Sequence, residues 1–295
     1  LRKNLQTYVV VELSFFKEVA LKEENIERLD EYMRAFNQPV SRVSLEQGEY
    51  ANTGFTQWGA SGLAAAWAEE NTRESIFNAF RRKETFATTG TRIAVRFFGG
   101  YNLSSIDLNS ESLVSEAYQK GVTMGSDLLH NENKIPEFLV WAQRDKNGAP
   151  LQRIQIIKGW IDNNSGRPKE KVFDVVCSDG MQPDPITNRC PDNGARVNIN
   201  DCSISTNVGS SELKTVWKDP EFAPDDKTFY YVRVLENPTC RWSTWDAIKA
   251  GYKPREGLHE TIQERAWSSP IWYIPEQSDV EVVPLGGTIQ LRNID

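Results

Sequence analysis

The sequence predicts an α+β fold: a mostly helical part over residues 1–98, followed by a β-rich, sandwich-like part over residues 99–295. Apolar residues in the first forty positions recur at three- and four-residue steps, which is typical of a helix. A second helix begins near residue 71 with good capping residues. After about residue 92, short β-prone runs alternate with turn residues, as in a β-sandwich.

The helical part rests on two segments. The first has its apolar steps at Ile26, Leu29, Met33 and Phe36. Pro39 ends this helix, because proline is incompatible with a helix interior. The second helix is expected from Asn71, an N-cap residue, to Lys83, with Glu74 placed to reach back to the cap amide.

The β-rich part is expected to begin after a small-residue turn at residues 87–91. Residues 92–97 alternate with period two and predict a strand. Further strands are predicted at residues 138–143, 153–161, 171–176, 229–235, 261–267, 280–283 and 288–291. One brief helix is expected near residues 244–250.

Charge and composition exclude several classes of function. The 34 basic and 41 acidic residues give a net charge of −7, which disfavours nucleic acid or an anionic membrane as the main partner. No apolar run approaches the roughly 20 residues that span a bilayer. The two histidines, His130 and His259, argue against a metal site built from imidazoles, and both are interpreted as surface-loop residues.

The four cysteines, Cys177, Cys190, Cys202 and Cys240, contain no C-x-x-C pair. Of the three possible pairings we favour Cys177–Cys190 and Cys202–Cys240, because the first pair closes a loop rich in turn formers. Such bonds indicate an oxidising compartment, either the periplasm or the exterior. Four reduced, partly buried thiols are the alternative. The chain begins with Leu1, so we expect it to be processed or part of something longer.

Five residues are candidate substrate-side contacts: Glu69, Glu70, Thr88, Thr89 and Arg92. The two glutamates follow an apolar run, but acids at a helix start are also favoured by the helix dipole. The threonine turn offers hydroxyls and amides beside Arg92, which suits an oxyanion; an ordinary salt bridge is the alternative. Tryptophans and tyrosines in the C-terminal half could stack on sugars or simply form the core.

Several strings together resemble a known family: WAEENTRE at residues 67–74, RKETFATTG at 82–90, RIQIIKGW at 153–160, FYYVRVLENP at 229–238 and ERAWSSPIWY at 264–273. In this order they resemble the C-terminal half of a bacterial family, domain of unknown function 3604, over about residues 55–275. That family resembles the PHP (polymerase and histidinol phosphatase) metal-dependent phosphoesterases. The resemblance implies that the helix after residue 71 closes a β/α barrel, with the β-domain appended.

The resemblance also implies divalent metal ions for the full family. Its metal motifs, an early His-x-His and a late Asp-x-His, do not occur in this sequence. We therefore expect no catalytic residue, metal ligand or cofactor in this chain alone. An upstream half or a partner chain would supply the metal ligands of a secreted hydrolase, with Thr88, Thr89 and Arg92 as secondary contacts. The alternative function is a non-catalytic secreted binding or structural β-module.

Overall fold

The computed structural model describes residues 62–276 except 133, 163–164, 252 and 255–256, together with the backbone of three earlier strands. The strands are β1 Thr7–Glu12, β2 Arg42–Leu45, β3 Gly48–Ala51, β4 Leu63–Ala68, β5 Thr85–Thr88, β6 Ala94–Gly100, β7 Gly121–Thr123, β8 Asp127–Leu129, β9 Glu137–Gln143, β10 Leu151–Ile161, β11 Pro168–Cys177, β12 Val197–Asn198, β13 Ser203–Ile204, β14 Glu212–Lys218, β15 Thr228–Glu236, β16 Thr239–Cys240, β17 Thr261–Ile262, β18 Arg265–Ser268 and β19 Ile271–Ile274. The helices in the described residues are α1 Arg73–Arg81, α2 Leu113–Lys120 and α3 Trp242–Ala250, with a 3-10 turn at Leu103–Ser105.

Two sheets pack face to face. The large sheet has the order β1-β4-β5-β18-β15-β10-β11, with β19 beside β15 and β8 beside β19. Its pairs are antiparallel except for β8 with β19. The small sheet has the order β14-β9-β6-β7. Because β6 lies against β18 and β15, and β14 lies against β10 and β11, the two sheets form a sandwich.

Alternating side chains of the two sheets fill the space between them. On β10, Ile154 and Ile156 are buried in this core, and on β15 so are Val232 and Val234. The small sheet contributes Val95, Phe97, Phe138, Val140 and Ala142. Residues between these inward positions therefore face outward, since successive strand side chains point to opposite faces.

Helices cover part of the outer surface. The 3-10 turn and α2 pack on the small sheet through Leu103, Leu113 and Ala117. On the large sheet, α1 packs on the alanine-rich strand β4, where Ala66 and Ala68 contact Ala79. No described helix packs extensively on β10 or β15, and the outward positions of these strands carry polar, aromatic and aliphatic side chains: Arg153, Gln155, Ile157, Phe229, Tyr231, Arg233 and Leu235.

The predicted helical N-terminal part is wrong. Residues 63–68 and 85–88 are strands of the large sheet, and α1 is the one helix between residues 62 and 98. The barrel interpretation is wrong as well, because β4 and β5 pair antiparallel, whereas a β/α barrel is built from parallel strands. The described part of the chain is therefore β-rich, and the predicted α+β fold with a helical N-terminal part is wrong. The first predicted helix lies outside the described residues.

Most of the strand predictions that fall on described residues are confirmed. Those at residues 138–143, 153–161, 171–176 and 229–235 correspond to β9, β10, β11 and β15, and the brief helix is α3. The segment at 261–267 is divided into β17 and β18, while those at 280–283 and 288–291 lie outside the described residues. The predicted boundary between the two parts of the chain, at residue 98, falls inside strand β6. The division into residues 1–98 and 99–295 stays a prediction.

Helix α1 begins one residue later than predicted. Thr72, and not Asn71, is its N-cap, and the Thr72 hydroxyl accepts a hydrogen bond from the Ser75 amide at 3.3 Å. In turn the Ser75 hydroxyl accepts the amides of Glu69 and Glu70, at 3.0 and 3.1 Å. The backbone that precedes the helix is therefore held by the Ser75 hydroxyl, and not by Glu74 in the predicted capping box.

Both favoured disulfides are present. Cys177 bonds Cys190 with a Cα–Cα distance of 5.7 Å, and Cys202 bonds Cys240 with a Cα–Cα distance of 5.6 Å. These two bonds indicate an oxidising environment. None of the helices in the described part of the chain combines the length and the apolarity that crossing a membrane requires.

Candidate functional site

The five candidate residues fall into two separate places. Glu69 and Glu70 are exposed at one end of β4, whereas Thr88 pairs with Leu63 at the other end. At about 3.3 Å per residue, the length of β4 separates them by roughly 20 Å. The structure therefore does not join the glutamates and the threonine turn into one site. Their assignment as substrate contacts stays a prediction.

The threonine turn uses its own polar groups. The Thr88 hydroxyl donates to the Thr91 carbonyl at 2.6 Å and accepts the Gly90 amide at 3.1 Å. The backbone amide of Arg92 donates to the Asp145 carboxylate at 2.8 Å, while the Arg92 side chain is exposed. The Thr88 hydroxyl and the Arg92 amide are thus already occupied, and neither is free to grip an oxyanion.

Thr89 ties this turn to β18. Its amide donates to the Arg265 carbonyl at 3.0 Å, and its hydroxyl accepts the Arg265 amide at 2.9 Å. The same hydroxyl donates to the Glu264 carboxylate. Burial raises the pKa of Glu264, opposed by the Thr89 hydrogen bond. Thr89 therefore helps to position the strand that carries Arg265.

A second carboxylate lies deeper at the same end of the sandwich. Glu236 is completely buried, and neither of its carboxylate oxygens has a hydrogen-bond partner in the described residues. The Thr91 hydroxyl and the Ala149 amide are polar neighbours, but they do not reach hydrogen-bonding geometry. Burial, together with the charges of Glu264 and Asp145, raises the pKa of Glu236 to about 7.

This shift predicts a stability that falls as the pH rises. Because the folded chain holds the Glu236 proton up to about pH 7 and the unfolded chain only to about 4.5, stability is lost across that window. The full loss is about 3 kcal/mol. We expect Glu236→Gln to match the wild type near pH 4.5 and to be more stable at pH 8, as measured by denaturant unfolding. Exposed Glu69→Gln is the control; parallel curves for wild type and Glu236→Gln would contradict the assignment.

The outer face of the large sheet holds an arginine cluster that the sequence analysis missed. We define it as Arg153 on β10, Arg233 on β15 and Arg265 on β18. Strand register brings them together, since Arg233 lies opposite Gln155 and Arg265 lies opposite Leu235. Their positions alternate with the core residues of the same strands. Arginines at outward positions of otherwise apolar strands were the available sequence signal.

Each guanidinium group of the cluster donates to an oxygen of a neighbouring glutamine, and other N–H groups of the same arginines make no hydrogen bond within the described residues. Arg233 Nε donates to the Gln155 side chain at 2.6 Å, and Arg265 Nε donates to the Gln263 carbonyl at 3.2 Å. In the described part of the chain, neither arginine forms an ion pair within 4.0 Å or uses its terminal nitrogens. Arg153 donates to the Gln152 side chain, and its buried Nε has no hydrogen-bond partner.

The positive charge of the cluster is only partly balanced. Asp174 lies 3.5 Å from both Arg153 and Arg189, a fourth arginine at the rim. Burial lowers the pKa of Arg153, and the charges of Arg189, Arg233 and Arg265 lower it further, against the opposing effect of Asp174. Asp174 is thus paired with Arg153 and Arg189, and the Glu264 carboxylate interacts with Arg265, while Arg233 has no ion pair within 4.0 Å in the described residues. An additional anion at this place would relieve the mutual repulsion of the guanidinium groups.

A concave surface adjoins these groups. Arg153 and Arg265 line a cavity of about 670 Å³, the basic cavity, together with Gln152, Gln263, His259 and the Asp192–Arg196 ion pair. Gln263 donates to the Gln152 side chain at 2.9 Å and so braces the wall. Cys190 also lines the cavity, and its amide donates to Asp174 at 2.7 Å. The first disulfide thereby fixes one wall.

The two histidines lie apart from each other. His259 lines the basic cavity. His130 lines another cavity, of about 580 Å³, and its Nδ1 lies 2.7 Å from the Tyr273 hydroxyl, which donates to the Pro224 carbonyl. Within residues 62–276, apart from the gaps given above, no three histidine, cysteine, aspartate or glutamate side chains group closely enough to hold a metal ion. The described donors do not fit a metal centre.

The model of a family described as a protein of unknown function (DUF3604) matches residues 12–275. The match begins earlier than residue 55, where the sequence resemblance begins. No curated protein and no solved structure matches the chain.

Proposed function

This chain belongs to the DUF3604 family, and we propose that it is the anion-binding, C-terminal portion of a secreted, PHP-like metal-dependent hydrolase that acts as a phosphoesterase. In this proposal the metal ligands come from an upstream half or a partner chain, because the described residues do not group to hold a metal. The two disulfides support a periplasmic or extracellular location.

The arginine cluster carries this proposal. Three guanidinium groups lie on one sheet face beside a cavity, in a chain whose net charge is −7. A guanidinium presents planar N–H donors that match the oxygens of phosphate, sulfate or carboxylate. Since Arg233 and Arg265 are anchored through Nε, their terminal nitrogens stay oriented for a ligand. These residues would bind and orient the anionic group of a substrate.

Anion titration tests the proposal. We expect inorganic phosphate and sulfate to bind the wild-type protein in isothermal titration calorimetry, with affinity that weakens as salt is raised. Arg233→Gln and Arg265→Gln should each weaken binding about tenfold or more, because each removes charge-assisted hydrogen bonds. Arg73→Gln, at the exposed start of α1, is the matched control and should bind like the wild type. Equal binding by all four proteins would contradict the proposal.

The second candidate function is a non-catalytic secreted binding or structural module. It is favoured by the donor set, since the described carboxylates and histidines form no metal-binding group. An assay of phosphate-ester hydrolysis separates the two candidates. Under the hydrolase proposal, the chain alone gives no activity, and activity appears when the upstream half is added with divalent metal. Continued absence of activity with both halves present would favour the binding module.

A further inference from the structure

An aromatic strip continues the outer face of the large sheet beyond the arginine cluster. We define it as Phe229 and Tyr231 on β15 and Trp272 on β19. The Phe229 and Trp272 ring centroids lie 5.0 Å apart, and the Phe229 and Tyr231 rings are stacked at 6.3 Å with an interplanar angle of 16°. Trp272 is 37% exposed. The strip therefore presents ring surface to solvent.

Gly159 makes room for the tip of the Phe229 ring. The two residues are paired across β10 and β15, and a Cβ at Gly159 would lie 2.2 Å from the Phe229 ring. Glycine thus leaves the space that the ring occupies. The Phe229 and Trp272 rings are tilted by 48° to each other and both remain partly exposed, so this part of the sheet offers aromatic surface to which a ligand ring can pack.

The strip and the arginine cluster form one continuous surface. Tyr231 and Arg233 are two residues apart on β15, so their side chains lie on the same face of the sheet. Arg233 is paired with Trp267 on β18. The Arg265 guanidinium lies 5.9 Å from the Trp267 ring centroid. From Phe229 to Arg233 the strand covers roughly 13 Å, which is longer than a single sugar ring. A ligand on this surface would meet stacking groups at one end and cations at the other.

We propose that this surface binds an acidic oligosaccharide, with sugar rings on the aromatic strip and anionic substituents at the arginine cluster. The inference rests on the proposed anion site and names its ligand class. Charge complementarity selects an anion, and the apolar faces of sugar rings complement aromatic rings. The surface is a sheet face and not a free strand edge, so it does not suit a peptide added as a strand.

Oligosaccharides of matched length test the inference. The probes are a sulfated heparin hexasaccharide, a hexamer of galacturonic acid and neutral cellohexaose, each compared with inorganic sulfate by calorimetry. We expect at least one acidic hexasaccharide to bind about tenfold or more tightly than inorganic sulfate, and cellohexaose to bind more weakly than the acidic probes. The sulfated and carboxylated probes distinguish the two sources of anion. Acidic hexasaccharides that bind no better than sulfate would overturn the inference.

Variants separate this inference from the anion site. Trp272→Ala should weaken hexasaccharide binding about tenfold while leaving sulfate binding unchanged, and Trp272→Phe should restore most of it. Trp245→Ala is the matched control, because Trp245 on α3 is 39% exposed and lies outside both surfaces. If sulfate itself does not bind, the proposed function fails. If sulfate binds but Trp272→Ala leaves hexasaccharide affinity unchanged, only the present inference fails. It also fails if the wild-type protein sediments as a dimer that Trp272→Ala dissociates, because the strip is then covered by a second copy of the chain.

Discussion

Replacing Asp219 by alanine is expected to lower the free energy of unfolding by about 3–5 kcal/mol. Asp219 is buried and lies 2.6 Å from the ammonium group of Lys158, which is itself only 4% exposed. The Tyr230 hydroxyl donates to the same carboxylate oxygen at 2.8 Å. Removing the carboxylate leaves the Lys158 ammonium bonded to the neutral Glu221 carbonyl at 2.6 Å but without its counter-charge, and it leaves the Tyr230 hydroxyl without its acceptor. The large effect comes from that uncompensated buried charge.

Chemical denaturation with a matched surface pair measures this effect. The Asp192–Arg196 pair has a similar distance of 3.0 Å, but both side chains are largely exposed, so Asp192→Ala should lower the free energy of unfolding far less than Asp219→Ala. Removing both charges in Lys158→Met/Asp219→Leu should recover most of the stability lost in Asp219→Ala. An Asp219→Ala variant as stable as Asp192→Ala would show that the buried pair does not form.

The second large effect is expected at the disulfide between Cys202 and Cys240. The bond closes a separation of 38 residues, so the double variant Cys202→Ser/Cys240→Ser should lose about 4 kcal/mol through the greater chain entropy of its unfolded state. The Cys177–Cys190 bond spans 13 residues, and its removal should cost about 3 kcal/mol. Both pairs of serines avoid a remaining free thiol.

Denaturant unfolding of the two double variants gives the order of these losses. Anion titration of the same proteins adds an independent readout, because Cys190 lines the basic cavity and Cys202 is not among its lining residues. We expect the Cys177→Ser/Cys190→Ser variant to lose more affinity for phosphate although it loses less stability. Affinity losses that simply follow stability would contradict the role of the first disulfide as a cavity wall.

Much of the β-rich part could be predicted because its strands are short β-prone runs separated by turn residues. In β10 the run of residues 153–161 contains four isoleucines and a tryptophan, and this β-prone composition predicted the strand. Strand β4 has no such signal, since its sequence LAAAWA consists mainly of alanine, a strong helix former. Pairing with β1 and β5, and the close packing of α1, decide its conformation instead. Tertiary contacts therefore overrode local propensity.

The candidate site could not be predicted from spacing along the chain. Arg153 and Arg233 are brought together by the pairing of β10 with β15, and Arg265 by the pairing of β15 with β18. Each pairing joins segments far apart in sequence, and a register shifted by one residue would point the side chains to the opposite face. The threonine turn was recognised locally, but its hydroxyls and the Arg92 amide bind within the protein, which only the folded contacts reveal.

The most direct test of the arginine cluster is an anomalous difference map from crystals of the wild-type protein soaked in sodium selenate, with Arg265→Gln crystals as control. We expect a selenium peak within hydrogen-bonding distance of the guanidinium groups of Arg153, Arg233 and Arg265, and a weaker or absent peak in the variant. A map with no peak at the cluster, or a peak there that Arg265→Gln leaves unchanged, would contradict the account of this surface as an anion site.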